Sequence, residues 1–164
     1  VHAHKTDDIA ALLRLVDEFK LRVSVEHAGD VCRPEIFVEL RRRGITVVFG
    51  PVDSYGSKVE LKNKNWRNSK VLLDSGVDFC VMTDHPVTHS WSQLQQTRFL
   101  LRCGLGKQAA LESITRKSAD FLGIGDRLGT LEKGKWASFV CWSGDPFDIA
   151  SYPVAVYMEG RQLL

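Results

Sequence analysis

Histidine and aspartate residues stand at the ends of three short apolar segments of the chain. His2 and His4 close the first segment, His27 ends the segment at 23–27, and Asp84 follows the segment at 79–82. Neutral imidazoles together with a carboxylate are donors that suit a divalent ion of the Zn²⁺ type. Such an ion lowers the pKa of a bound water, and a neighbouring aspartate can take its proton and return it to a leaving amine. The pattern predicts metal-assisted hydrolysis of a small-molecule substrate, with zinc as the first candidate metal.

Each of these residues also has an ordinary structural interpretation. A single histidine at a strand end more often makes a structural hydrogen bond than a metal bond. The shared position of His2, His27 and Asp84, each at the end of an apolar run, favours the metal site. His85 is a candidate to line a pocket, and His89, in a loop, fits a structural role equally well.

The elements that would bring these residues together follow a β-α-β-α-β-α-β order. Apolar runs at 1–4, 21–27, 45–49 and 79–83 predict the strands. Units of about 20 to 35 residues are typical of a parallel sheet with right-handed crossovers. Functional groups of such folds collect at the carboxyl ends of the strands, so the three segment ends should converge if the sheet curls into a barrel. The polar segment 52–64 is too long for a plain connection and predicts an active-site loop.

The first predicted helix has the strongest periodicity. Asp7 and Asp8 suit its N-terminus. Its apolar residues recur at helical spacing and define one face: Ile9, Leu12, Leu13, Val16 and Phe19. That face is expected to pack on the sheet.

The residue pattern of the sequence changes at Gly129. Turn-rich residues follow, and alternating patterns at 137–142 and 154–159 predict β strands. A β segment of about 35 residues is too small to fold alone. We therefore predict an α/β unit at 1–128 and appended β strands at 129–164.

The composition indicates a soluble globular chain. Of the 164 residues, 44% are hydrophobic and 26% charged, and the net charge of +2 is too small to indicate a nucleic-acid or membrane-surface partner. The four cysteines contain no CxxC pair, which favours a reducing cytoplasm. No apolar run reaches the length of a membrane span, and no secretory signal is evident. The sequence thus predicts a cytoplasmic protein.

Several motifs resemble the second half of metal-dependent amidohydrolases, in particular the imidazolonepropionase-like and prolidase-like branch. The motifs are residues 1–4 with the helix that follows, Glu26-His27, residues 82–86, residues 127–135, Gly144-Asp145-Pro146 and Glu159-Gly160-Arg161. No single motif is specific, but their order and spacing together are. The resemblance implies strands five to eight of a (β/α)₈ TIM barrel, followed by strands of a composite β-sandwich.

The resemblance also implies roles for individual residues. His2 and His27 would be metal ligands, and Asp84 would be both a ligand and the general base. The substrate-binding candidates would be His4, His85 and His89. The implied activity is hydrolysis of a C–N bond in a cyclic amide or dipeptide-like substrate.

The family's first-strand His-x-His pair and its bridging strand-four residue have no counterpart in this sequence. We therefore expect the C-terminal portion of a longer protein or a natural half-barrel, weakly active or inactive as 164 residues alone. Its expected partner is either the missing N-terminal half-barrel or a second copy of itself, which would make it an oligomer.

Two other interpretations stay open. The chain could be an amidohydrolase-derived structural or interaction module whose histidines no longer act. It could also be an open flavodoxin-like domain that binds a small ligand, although no Gly-rich phosphate loop follows any predicted strand.

Overall fold

A four-stranded parallel sheet forms the centre of the protein. The computed structural model describes residues 1–54, 56 and 58–164. The strands are β1 His2–Ala3, β2 Val25–His27, β3 Val47–Phe49 and β4 Phe79–Val81, and they lie in the order β1-β2-β3-β4. The predicted parallel βα arrangement is present. The strands are shorter than predicted: β2 begins at Val25 and β3 at Val47, after the first residues of their apolar runs, and β4 ends at Val81.

Six helices accompany the strands in the described part of the chain. They are α1 Thr6–Phe19, α2 Glu35–Arg42, α3 Asn68–Ser75, α4 Gln93–Arg102, α5 Lys107–Glu112 and α6 Arg116–Phe121. Single 3₁₀ turns at Val59–Leu61 and Ser90–Ser92 lie in the loops that follow β3 and β4. Helix α1 carries Asp7 and Asp8 in its first turn, where their negative charges interact favourably with the helix dipole. No helix in the described ranges is long and apolar enough to cross a membrane.

The core lies between the sheet and these helices. Alternate strand residues belong to it, together with one face of each of the first three helices: Val25, Val47, Phe49, Phe79, Val81, Ile9, Leu12, Leu13, Phe37, Leu40 and Leu72. Burying these side chains stabilises the fold by roughly 1.5 to 3 kcal/mol each. The core thereby fixes the strand register on which the site depends.

The strand register places four residues side by side at the carboxyl edge of the sheet. Ala3 lies opposite His27, His27 opposite Phe49, and Phe49 opposite Val81. The residues that immediately follow these positions therefore share one rim, as expected for parallel strands.

The tail forms a second, antiparallel sheet. Its strands are β5 Phe139–Trp142, β6 Pro153–Met158 and β7 Arg161–Gln162, in that order. Phe139 stacks on Tyr157 across the first pair, with ring centroids 4.7 Å apart. The predicted strands of the tail are thus present, with β7 as an addition.

Candidate metal centre and active site

Three histidines meet at the carboxyl edge of the parallel sheet. A ring nitrogen of each of His2, His4 and His27 lies within 4.8 Å of the other two. The ring centroids are 4.3 to 4.8 Å apart. We call this group the histidine cluster. It joins two residues predicted as metal ligands with one predicted to contact substrate.

The pairing of β1 with β2 builds the cluster. Ala3 and His27 are direct neighbours in the ladder, which brings the residues on either side of Ala3 next to His27. The chain then turns away with left-handed backbone at His27 (φ 75°) and Ala28 (φ 51°). The Ala28 N–H donates to the Ala3 carbonyl at 3.0 Å and holds this turn against β1.

A backbone carbonyl selects the tautomer of His27. Its Nδ1 lies 2.9 Å from the carbonyl oxygen of Gly50. Because a carbonyl only accepts hydrogen bonds, Nδ1 carries the proton and Nε2 keeps its lone pair. A metal-binding histidine usually has its other nitrogen held in this way. Burial lowers the pKa of His27, so the ring is neutral at pH 7.

His4 is the most enclosed member of the cluster. Its side chain is buried, and its Nδ1 has no hydrogen-bond partner among the described residues. Burial, together with the neighbouring His27 and His2, lowers the pKa of His4 to about 4. A buried ring nitrogen without a partner is costly, and a bound ion would satisfy it.

The remaining cluster member, His2, and the predicted ligand Asp84 are less buried than His4 and His27. His2 is half exposed, and its Nε2 lies 3.8 Å from a carboxylate oxygen of Glu60. Asp84 is partly buried and follows β4 with left-handed backbone (φ 55°). It lies outside the 4.8 Å group, but its charge acts on His27 by raising that residue's pKa against the larger effect of burial.

His85 and His89 form a separate pair. Their ring centroids are 6.0 Å apart, and the Ser90 N–H donates to the His85 Nδ1 at 3.3 Å. His89 stacks on Trp91, whose side chain is 80% exposed. Both histidines are exposed on the loop after β4. They are apart from the histidine cluster, and their predicted contact with substrate stays a prediction.

A buried amide and a buried carboxylate hold the two ends of the loop at 52–64. Gln96 of α4 is fully buried; its Oε1 accepts from the Val52 N–H at 2.6 Å, and its Nε2 donates to Asp53 at 2.7 Å. Near the other end, Asp30 accepts from the Asn63 backbone and side chain at 2.5 and 3.1 Å. The active-site loop predicted from its length is therefore anchored at each end, although Tyr55 and Ser57 lie outside the described residues.

Asn68 and Lys64 complete this region. The Asn68 Nδ2 donates to the carbonyls of Gly29 and Asn63, at 3.2 and 3.0 Å, and so ties the loop after β2 to the loop after β3. Lys64 is half buried, and its Nζ is hydrogen-bonded to the Ser54 hydroxyl. No pattern in the sequence singles out Gln96 or Lys64, because each residue type is usually exposed.

A parallel βα sheet with nitrogen donors gathered at its carboxyl edge is an α/β fold with a candidate metal site. The comparisons with known proteins identify the family. The chain belongs to the amidohydrolase family, whose model matches residues 1–162. This confirms the resemblance predicted from the motifs.

Two curated relatives and one solved structure illustrate the similarity. The amidohydrolase tasK of Hapsidospora irregularis is 28% identical over 163 residues, which are 97% of this chain and 16% of that protein. The imidazolonepropionase of Aromatoleum aromaticum is 34% identical over 98 residues, 54% of this chain and 23% of that protein. An amidohydrolase from Thermotoga maritima MSB8 superposes with a TM-score of 0.90 at 35% identity, over 99% of this chain and 42% of that one. The chain thus spans less than half the length of each of these proteins.

Proposed function

We propose that the protein hydrolyses a C–N bond in a cyclic amide or dipeptide-like substrate with the help of a divalent metal ion at the histidine cluster. Membership of the amidohydrolase family supports the reaction class, since members of this superfamily are generally metal-dependent. The observation that carries the proposal is the convergence of three imidazoles within 4.8 Å at the carboxyl edge of the sheet. That edge carries the chemistry in folds of this type.

The residues present fit such an ion. The neutral rings of His4 and His27 leave lone pairs available: the His27 Nε2 is freed by the Gly50 carbonyl, and the His4 Nδ1 is buried without a partner among the described residues. Nitrogen donors with a nearby carboxylate favour zinc over magnesium or calcium. We assign His2, His27 and Asp84 as ligands, with His4 as a third nitrogen within reach.

The residues then have separate tasks. A divalent ion bound there supplies Lewis-acid activation of water near neutral pH. Asp84 accepts the proton of the attacking water and returns it to the leaving amine nitrogen, which its position after β4 allows. The Gly50 carbonyl orients the His27 ring by accepting from Nδ1.

The test is a hydrolase assay on a panel of cyclic amides and dipeptides with added Zn²⁺, using the Asp84→Asn variant. Loss of a general base is expected to lower kcat by about 10² to 10⁴-fold. The matched control is Asp78→Asn, which changes an exposed aspartate just before β4, at the opposite end of the same strand.

The control variant should keep its activity, because Asp78 pairs with Lys117 at the amino end of β4, away from the carboxyl edge that carries the site. Hydrolysis that continues unchanged in Asp84→Asn would contradict the assigned role. A protein that takes up no zinc and hydrolyses none of the panel would instead support the non-catalytic module.

A further inference from the structure

Lys64 is a half-buried cation beside the histidine cluster to which the proposed chemistry gives no role. Its Nζ is hydrogen-bonded to the neutral hydroxyl of Ser54. In the described part of the chain Lys64 forms no ion pair, although the charges of Asp53 and Asp84 act on it from a greater distance. The ammonium is therefore held in the site without a contacting counter-ion from those residues.

The side chain of Lys64 passes close to the cluster. A Cβ placed on Gly29 would lie 3.4 Å from the Lys64 Cε and 3.7 Å from the His4 Nδ1. The lysine stem and the unpartnered imidazole nitrogen thus approach the same point of the backbone. Both distances are ordinary van der Waals separations, so Lys64 and His4 border the same residue.

The neighbouring loop contacts fix this position. Asn63, the residue before Lys64, is bound by Asp30 through its backbone and its side chain, and its carbonyl accepts from Asn68. Both Asp30 and Asn68 are buried. A lysine on a free loop would turn its ammonium to water, whereas here the chain on its N-terminal side is held by buried polar groups.

Burial without an ion pair has a cost for a cation. It lowers the pKa of the Lys64 amine, and the negative charges of Asp53 and Asp84 offset only part of this effect. An anionic group placed against the ammonium would offset the remainder, and a charge-assisted hydrogen bond to a carboxylate is among the stronger polar contacts in proteins.

We infer that Lys64 binds a carboxylate of the substrate and so selects amides that carry an acidic group near the scissile bond. This inference rests on the proposed function and narrows its substrate class. Lys64 would hold the substrate in place, while Asp84 and the histidine cluster act on the C–N bond.

The test compares matched probes with and without the carboxylate. Ala-Pro is compared with its C-terminal amide, and 5-oxoproline with 2-pyrrolidinone, by calorimetric titration and by turnover with the zinc-loaded protein. In Lys64→Met, which keeps the apolar stem, the Kd or KM of the acidic probes should rise about 10- to 100-fold, and that of the neutral probes less than about threefold. Lys64→Arg should recover part of the loss because it restores the charge.

Lys62→Met is the control, since Lys62 is an exposed lysine on the same loop and should leave every probe unchanged. The inference fails if Lys64→Met weakens acidic and neutral probes equally, or if the wild-type protein binds neither acidic probe. Lys64-dependent binding of an acidic probe without hydrolysis would leave the inference standing and overturn the proposed function. Hydrolysis that Lys64→Met leaves unchanged would support the proposed function and overturn the inference.

Discussion

The imidazole rings of His4 and His27 stack face to face, with centroids 4.5 Å apart and planes inclined by 24°. Both rings are buried, so two protonated rings at this distance would repel each other strongly. The arrangement therefore favours two neutral imidazoles, which is the form that binds metal ions. His2 meets both rings edge-on and completes the group.

The first prediction concerns the pH dependence of stability in the metal-free protein. His4 has a pKa of about 4 when folded and about 6.5 when unfolded, so the unfolded chain binds a proton that the folded chain does not. Its contribution is fully present above pH 6.5 and is lost as the pH falls towards 4, by about 3 kcal/mol. Chemical denaturation between pH 7 and pH 4 should show that the free energy of unfolding falls less in His4→Gln than in wild type. In His85→Gln, which changes an exposed histidine, the free energy of unfolding should fall with pH as it does in wild type. An identical pH dependence of this free energy in all three proteins would refute the prediction.

The second prediction concerns metal uptake. His2 is half exposed, so His2→Gln should leave the melting temperature of the zinc-free protein unchanged while zinc content falls below one ion per chain. Added zinc should raise the melting temperature of wild type, because a ligand that binds the folded state stabilises it. Mass spectrometry of the metal and thermal melting measure both effects. His89→Gln, outside the cluster, should retain zinc; equal zinc content in His2→Gln and wild type would exclude His2 as a ligand.

The third prediction concerns the tie between α4 and the loop after β3. Gln96→Leu leaves the Val52 N–H without its buried acceptor, and it should reduce the free energy of unfolding by about 1 to 3 kcal/mol. Amide exchange at Val52 should accelerate by more than exchange in the core strands. The neighbouring Gln95→Leu variant, on the exposed side of the same helix, should change neither quantity. Unaltered protection of Val52 in Gln96→Leu would show that another group holds the loop.

The fourth prediction concerns the core beneath the site. Phe37 of α2 is fully buried, and Phe37→Ala should lower the free energy of unfolding by about 3 to 5 kcal/mol. The adjacent Val38 is half exposed, and Val38→Ala should cost less than about 0.5 kcal/mol. Urea denaturation measures both. A similar loss in the two variants would mean that α2 packs in another orientation.

The sheet and most of the core could be predicted from the sequence because they depend on local pattern. Ile9, Leu12 and Leu13 follow the helical period and are buried. Phe19 follows the same period yet is 61% exposed, because it is the last residue of α1, where the chain turns away at Lys20. Periodicity therefore predicts which face is apolar, but not where the neighbouring elements end.

The site could be predicted only in outline. Strand ends brought His2 and His27 together as expected, because parallel pairing follows from chain order. His4 was predicted to contact substrate. Its membership in the cluster depends on the orientation of its ring, which the spacing of residues does not predict. Gln96 and Lys64 were missed because contacts between residues distant in sequence decide whether such side chains are buried.

The backbone at His27, Ala28 and Asp84 has a consequence for how this region can evolve. All three are left-handed although none is glycine, and each costs roughly 1 kcal/mol relative to a glycine in the same conformation. Selection for stability alone would therefore favour glycine at all three codons. At Ala28 nothing in the proposed chemistry opposes that change, whereas at His27 and Asp84 it would remove the side chain that acts. Neighbouring codons are thus subject to opposite selection. A descendant of this chain that has lost its activity should acquire glycine at 27 and 84 before its core residues are substituted.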